Sequence, residues 1–130
     1  MSPRPFVPLH LHTEYSILDG ATKIGDLIKH AKEKNMPALA ITDHGCMYGS
    51  IAFYQQCKSA GIKPIIGCEV YTIDGDITEK KTPSGKMGSY NHLVLLAKDL
   101  KGYQNLTKLV SISYIDGFYY KPRINYEILE

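Results

Sequence analysis

The sequence is most informative at the stretch Ala38-Leu39-Ala40-Ile41-Thr42-Asp43-His44. Its first five residues form an unbroken apolar run between turn signals, which is typical of a strand buried on both faces of a parallel sheet. The run leads into a carboxylate and an imidazole, at the point where the predicted strand ends. Three similar runs carry further histidines or an acid, and together they direct the interpretation of the chain.

These runs place metal-binding types of side chain on segment after segment that is predicted to be a buried strand. The predicted strands and their polar residues are Phe6 to His12 with His10 and His12, Ala38 to Thr42 followed by His44, Ile65 to Ile73 with Glu69, and Ser89 to Ala97 with His92. Burying such groups without partners costs free energy. A shared metal centre is one arrangement that would satisfy all of them.

Helical patterns alternate with these strands. The predicted helices are Lys23 to Lys34 with Thr22 as N-cap, Tyr48 to Ala60 with Gly61 as C-terminal cap and an inner face of Ile51, Tyr54 and Cys57, Leu100 to Ser113, and a last helix capped by Asn125. Asp74 to Gly88 is predicted to be a long polar excursion or hairpin. The alternation indicates an α/β fold with a mainly parallel sheet or barrel, whose active site lies at the carboxyl ends of the strands. Glu69 and His92 fit that rule less well, and the fourth strand is a candidate for running antiparallel.

Length, charge and cysteine content describe an ordinary globular domain. The 130 residues suit one modest domain, and the net charge of +2 does not by itself indicate nucleic-acid binding. The three cysteines form no Cys-x-x-Cys pair, which favours a reducing cytoplasm over a disulfide framework. No stretch of about 20 apolar residues occurs, so no membrane span is expected.

The histidines and acids allow several arrangements. In His10-Leu11-His12 both rings point to one side of a strand, roughly 6 to 7 Å apart. They can bind one ion if the chain bends, or two adjacent ions if it does not. The alternative is that the two histidines are a buried pair whose hydrogen bonds are satisfied without metal. Asp43 either caps the next turn or orients a metal-binding imidazole by accepting a hydrogen bond from its ring, without binding the metal itself. His30 falls off the apolar stripe of its helix and is excluded from the site.

Glu69 is the most telling of these residues, because a carboxylate in an apolar strand is rarely left unpaired. It either bridges two metal ions or pairs with a basic side chain. Arginine occurs at Arg4 and Arg123, so the second alternative depends largely on lysine. Mixed nitrogen and oxygen ligands suit zinc, manganese or iron. A cluster of two or three such ions is a common device for phosphoester hydrolysis.

With these residues identified, the chain resembles the PHP (polymerase and histidinol phosphatase) domains at the N-terminus of bacterial replicative DNA polymerase III alpha subunits, most of all the cyanobacterial ones. The segments that carry the resemblance are Phe6 to Gly20, Ala40 to Gly45, Pro64 to Glu69, His92 to Ala97, Gly102 to Leu106 and Gly117 to Arg123. They cover essentially the whole chain. His12-Thr13-Glu14-Tyr15-Ser16 indicates the polymerase branch rather than the free-standing histidinol phosphatases.

The resemblance implies a distorted (β/α) barrel with two or three divalent metal ions at one mouth. It implies that His10 and His12 bind the first metal, that Glu69 bridges the first and second, and that His92 binds the second. Asp19 and His44 would bind the third. Asp19 enters the candidate site through the resemblance alone, since its own sequence context predicts only a turn.

The resemblance also implies a larger context. PHP domains are longer and have later ligands, so residues 1–130 are expected to be the N-terminal portion of the barrel, with an incomplete metal site and no polymerase activity of their own. The expected partners are DNA, a proofreading exonuclease subunit and the sliding clamp, all through a full-length polymerase. The candidate activity is 3′→5′ exonuclease-type hydrolysis. The alternatives are a structural docking module that hydrolyses nothing and a free-standing PHP-type phosphatase.

Overall fold

The computed structural model of the chain describes residues 5–17, 19–80 and 90–130. The helices and strands in chain order are α1 (Ile24–Glu33), β1 (Ala38–Ile41), α2 (Ser50–Ala60), β2 (Lys63–Thr72), β3 (Asn91–Leu96), α3 (Leu100–Ile115), β4 (Phe118–Tyr119), β5 (Lys121–Ile124) and α4 (Tyr126–Leu129). The α/β class is therefore confirmed. Of the predicted polar excursion, residues 81–88 lie outside the described residues. None of the described helices is long and apolar enough to span a membrane.

Strand β2 is the centre of the sheet. It runs parallel to β1, antiparallel to β3 and parallel to β5, and β4 and β5 form a short antiparallel pair. Within the described ranges the sheet is thus mixed, and the prediction of a mainly parallel sheet is wrong. The fourth predicted strand corresponds to β3, which runs antiparallel to β2. The expectation that this strand runs antiparallel is therefore confirmed.

The helices and the metal-binding types of residue use opposite faces of β2. Strand β2 contributes to two apolar clusters: the partly buried Ile66 packs against the first, and Cys68 and Val70 belong to the second. The first cluster joins β1 to α1 and α2, and the second joins β2 and β5 to α3. Since side chains alternate along a strand, the odd-numbered Glu69 and Tyr71 point away from this helical layer. The sheet thereby separates the hydrophobic core from the candidate site.

The predicted first strand, Phe6 to His12, is not a strand in the structure. The segment lies beside β1 and is attached by isolated hydrogen bonds, from Ala40 N–H to the Pro8 carbonyl (3.2 Å) and from Thr42 N–H to the Leu11 carbonyl (2.9 Å). The Leu11 N–H donates to the hydroxyl of Thr42 (2.8 Å) rather than to a backbone carbonyl. Pro8 has no N–H to donate, and the Thr42 side chain takes the place of a ladder partner, so regular pairing does not develop.

Two further helix predictions need correction. Helix α1 has Lys23 rather than Thr22 at its N-cap, and the carboxylate of Glu14 accepts a hydrogen bond from Ile24 N–H (3.4 Å) at the start of the helix. In α2 the predicted inner residues Ile51 and Tyr54 are exposed. The buried side of α2 is instead formed by Ser50, Phe53 and Cys57.

The predicted caps at Gly61 and Asn125 are confirmed, whereas α3 ends at Ile115, two residues after the predicted Ser113. Gly61 ends α2 with a positive φ of 74°, as a C-terminal glycine cap requires. Asn125 caps α4, where its side chain accepts from Ile128 N–H. Asp99 caps α3 by accepting from Gly102 N–H.

Candidate metal centre

Six side chains from different parts of the chain converge on the face of β2 that is opposite the helices. This histidine–carboxylate cluster consists of His10, His12, Asp19, His44, Glu69 and His92. They form three overlapping groups, in each of which the potential ligand atoms lie within 4.8 Å of one another: His10, His12 and Glu69; His12, Asp19 and His44; His44, Glu69 and His92. The structure therefore brings together all six residues that sequence analysis singled out as metal ligands.

Glu69 lies at the centre of the cluster. Its side chain is almost fully buried, and its Oε2 contacts Nε2 of both His10 and His12, the latter at 2.7 Å. Its Oε1 contacts Nδ1 of His92 and lies 3.6 Å from Nδ1 of His44. Among the described residues, the ion pairs of Glu69 are thus with imidazoles and not with lysine or arginine.

The surroundings of Glu69 favour its charged form. Burial alone would raise the pKa of this carboxyl, but hydrogen bonds from His92, His12 and His10 and the charge of His44 together outweigh burial and lower its pKa to about 2. Glu69 is therefore an anion throughout the neutral range. A buried anion faced by imidazole nitrogens on both of its oxygens is well suited to bridge cations.

The antiparallel direction of β3 explains how His92, near the start of a strand, reaches the site. Tyr71 of β2 pairs with His92, and Glu69 pairs with Val94. Paired residues on neighbouring strands share a face, so His92 lies on the same side as Glu69, opposite the residue two positions after it. The start of β3 therefore lies beside the end of β2.

His44 is held by a backbone bridge immediately after β1. Glu69 N–H donates to the Asp43 carbonyl (3.1 Å), and Gly45 N–H donates to the Glu69 carbonyl (2.8 Å), so the chain around His44 continues the parallel pairing with β2. Nε2 of His44 lies 2.7 Å from Oδ2 of Asp19. Its Nδ1 is buried and has no hydrogen-bond partner among the described residues.

This unsatisfied nitrogen bears on whether the cluster fits a metal. A buried polar atom without a partner costs free energy, and a cation between His44 and Glu69 would remove that cost. The Nε2 atoms of His10 and His12 lie only 3.2 Å apart, and both face Oε2 of Glu69. Three electron-pair donors directed at one small volume are a suitable ligand set for a divalent ion.

Asp43 is fully buried and has a different role from the predicted ones. It accepts hydrogen bonds from Thr13 N–H (2.6 Å), the Thr13 hydroxyl (2.8 Å) and the Ser16 hydroxyl (2.7 Å). Ser16 in turn accepts from His44 N–H (3.1 Å). Asp43 thus acts on the loop that connects His12 to Asp19, rather than on an imidazole ring or on the turn that follows it.

Tyr71 borders the cluster and was missed by sequence analysis. Its buried ring stacks on His44, with 6.0 Å between ring centroids and 13° between planes, and lies edge-on to His92 at 5.0 Å. Burial, with a smaller effect from Tyr90, raises its pKa to about 12, so its hydroxyl stays neutral. Tyr71 lies two residues after Glu69 in β2, so the alternation of side chains along a strand could have placed it on the same face as Glu69. His30 lies exposed in the last turn of α1, outside the cluster as expected.

Comparison with known proteins agrees with the geometry. The family model described as "PHP domain" matches residues 8–130. DNA polymerase III alpha subunits are similar over nearly the whole chain: 55% identity with that of Borreliella burgdorferi (96% of this chain, 11% of the relative), and 51% with that of Aquifex aeolicus (98% and 11%) and with that of Thermus aquaticus (95% and 10%). The chain spans about a tenth of the length of these relatives.

Two solved structures share the fold. An amidohydrolase from Chromobacterium violaceum, with bound sulfate and no metal, is 26% identical with a TM-score of 0.57, covering 83% of this chain and 33% of that protein. A protein described as a metal-dependent phosphoesterase from Bifidobacterium adolescentis has a TM-score of 0.60 at 19% identity, covering 85% of this chain and 34% of that protein.

Proposed function

The chain belongs to the PHP domain family, and from this premise we propose that its histidine–carboxylate cluster binds two or three divalent metal ions suited to phosphoester hydrolysis. The observation that carries the proposal is the position of Glu69, whose two oxygens belong to separate groups of potential ligands. One group contains His10 and His12, and the other contains His44 and His92. A carboxylate shared in this way is the natural bridge between two ions.

The proposed roles follow the three groups. His10 and His12 would hold the first ion together with Glu69, and His92 would hold the second, also with Glu69. Asp19 and His44 would hold the third. His12 is within reach of that position, because its Nδ1 lies 3.4 Å from Oδ2 of Asp19. Asp43 sets the position of the loop that carries Asp19. Bound ions supply activated water and clamp phosphate oxygens.

The donor set restricts the metal. Four imidazoles and two carboxylates form a mixed nitrogen and oxygen environment, which suits zinc, manganese or iron better than magnesium or calcium, both of which prefer oxygen. Within the described residues, the three cysteines stay outside the groups that can hold a metal. We propose zinc, manganese or iron as the resident ions.

The relatives supply the wider context of the proposal. We infer that residues 1–130 are the N-terminal portion of the PHP domain of a cytoplasmic replicative DNA polymerase, which transfers nucleotides during DNA replication. In that setting the metal site is suited to 3′→5′ exonuclease-type proofreading. The full-length polymerase would contact DNA, a proofreading exonuclease subunit and the sliding clamp. Support comes from the 51–55% identity to the polymerase subunits of three bacteria.

The metal content of the purified chain tests the first part of the proposal. Elemental mass spectrometry is expected to find at least about one equivalent of zinc, manganese or iron, which the His12→Ala variant loses. His30→Ala is the matched control, because it removes an exposed imidazole outside the cluster. Absence of metal from the unchanged chain, or equal metal in the His12→Ala variant, would contradict the assignment.

Hydrolysis needs its own experiment. Because residues 1–130 are expected to hold an incomplete metal site, the assay uses the full-length polymerase in its metal-loaded form. It is incubated with single-stranded DNA and release of nucleotides is followed, with the metal-free protein and the Glu69→Gln variant as controls. Release that depends on both metal and Glu69 supports the exonuclease-type activity. Full metal content without any release would favour the role of a structural module.

A further inference from the structure

Lys121 is the first residue of β5, and its ammonium group lies over an aromatic ring at the edge of the candidate metal centre. Its Nζ is 5.2 Å from the centroid of Tyr71, within the range of a cation–π contact. Tyr71 in turn contacts the rings of His44 and His92. One ring thus separates a positive charge from two of the proposed metal ligands.

The backbone fixes this position. Tyr71 pairs with Arg123 between β2 and β5, which places Lys121 two residues along the same strand. A Cβ at Gly45 would lie 2.8 Å from Cγ of Pro122 and 3.1 Å from Cε2 of Tyr71. The start of β5 therefore packs against the loop that immediately follows His44.

Lys121 has no carboxylate to neutralise it. Across residues 5–17, 19–80 and 90–130, the ion pairs all involve histidine, and the remaining residues of the chain include no aspartate or glutamate. Arg123 differs, because its guanidinium donates to three backbone carbonyls, those of Gly117, Ile77 and Glu79. Arg123 is occupied in holding the fold, whereas the Lys121 ammonium makes no hydrogen bond to the residues that the structure describes.

From these contacts we propose that Lys121 binds a phosphate oxygen of the substrate beside the metal centre, with Tyr71 as the platform that positions its side chain. This inference deepens the proposed phosphoester hydrolysis and rests on it. A lysine ammonium is a compact point charge and a common phosphate ligand. The aromatic face restricts the long side chain, and the N–H groups that do not face the ring can still donate to an anion.

The test uses inorganic phosphate as the probe and calorimetric titration of the full chain, with and without bound manganese. Lys121→Met removes the charge and keeps an unbranched side chain, and it is expected to weaken phosphate binding about ten-fold. Lys121→Arg is expected to stay close to the original affinity. Lys58→Met, at an exposed position in the last turn of α2, is the matched control and should leave phosphate binding unchanged.

The manganese content of every variant is measured in the same samples. Weaker phosphate binding with unchanged manganese and unchanged circular dichroism supports the role of Lys121. Equal phosphate affinity of the Lys121→Met variant and the original chain overturns it, as does a chain that binds no phosphate in either titration. If the original chain binds no manganese, zinc or iron, the proposed metal function fails, and the metal-free titration still decides the role of Lys121.

Discussion

Glu69 is a single acidic residue that contacts three imidazoles and lies close to a fourth. Burial opposes its charge, and the surrounding rings more than compensate, so the carboxylate stays ionised. A cation that displaces the hydrogens shared between these ring nitrogens and Glu69 can use the same nitrogens as ligands. Glu69 and its neighbours are therefore arranged for binding metal before any ion arrives, which reduces the reorganisation that binding requires.

Asp43 is the residue on which the geometry of the loop after His12 depends most. We expect Asp43→Asn to lower the free energy of unfolding by about 2–3 kcal/mol, because an amide NH₂ would face donors that now bind a carboxylate oxygen. Urea denaturation measures the change. Asp74→Asn, at an exposed position, is the control and should have little effect. Equal stability of the two variants would show that the bonds to Thr13 and Ser16 contribute little.

The cysteines give a pH-dependent prediction. Burial raises the pKa of the Cys68 thiol to about 12 and those of Cys46 and Cys57 to about 11. These thiols stay protonated in the folded chain at pH 8, so we expect iodoacetamide to react with them slowly until urea unfolds the protein. Fast alkylation of the folded chain would contradict the burial of all three.

The same shifts have a defined sign for stability. The unfolded thiols ionise near pH 9, before the folded ones, so the contribution of the thiols is complete below that pH and decreases as the pH rises toward 11 to 12. Comparison of the original chain with Cys68→Ala at pH 8 and pH 10 isolates the contribution of one thiol. The stability difference between the two proteins should change in favour of the variant at pH 10.

At the level of elements, the sequence predicts β1, β2, α3 and the caps of the later helices well, because apolar runs and capping residues are local signals. It fails where a side chain replaces a backbone partner. Residues 6–12 alternate as a strand does, but the Leu11 N–H donates to the Thr42 hydroxyl instead of to a backbone carbonyl. The periodicity of a sequence contains no information about such a replacement. In α2, Ile51 was expected to face the core because it is hydrophobic, but it is exposed, and Phe53 is the residue buried in the core.

The turn between β1 and α2 depends on Gly45, which has a positive φ of 59°. We expect Gly45→Ala to lower the free energy of unfolding by about 1–3 kcal/mol, since it adds backbone strain and pushes a methyl group against Pro122 and Tyr71. Gly25→Ala is the matched control. A Cβ at Gly25 in α1 meets only Oε1 of Gln56 at 3.8 Å, so this change should be neutral or stabilise by up to about 1 kcal/mol. Thermal unfolding of both variants checks the contrast.

On the scale of the whole molecule, the candidate ligands come from four separate parts of the chain: the segment before α1, the end of β1, β2 and β3. A metal that binds only the folded arrangement should stabilise all of it together. At a free metal concentration 100 times the dissociation constant, we expect a gain of about 2.7 kcal/mol in the free energy of unfolding. Urea denaturation with and without zinc or manganese measures the gain, which His12→Ala should abolish and His30→Ala should retain.

The site as a whole could be predicted further than the fold around it. Histidines and an acid within predicted strands identified five of the six clustered residues, because such polar side chains are uncommon in apolar stretches of sequence. Asp19 lies in a polar loop, where acidic residues are common, and only the family resemblance identified it as a candidate ligand. Tyr71 and Thr13 were missed, since an aromatic ring or a hydroxyl near a site has no distinctive spacing.

Few backbone hydrogen bonds join residues 6–12 to β1, and this affects how quickly the site can exchange a bound metal ion. Local openings require less free energy than global unfolding where few backbone hydrogen bonds must break. His10 and His12 can therefore leave Glu69 while β2 and its partner strands stay closed. In hydrogen–deuterium exchange the amide of Leu11 should exchange well before that of Glu69, and a bound ion should slow it selectively. Opening of this segment would then release two of the candidate ligands, so it would set the rate at which a metal ion enters or leaves the site.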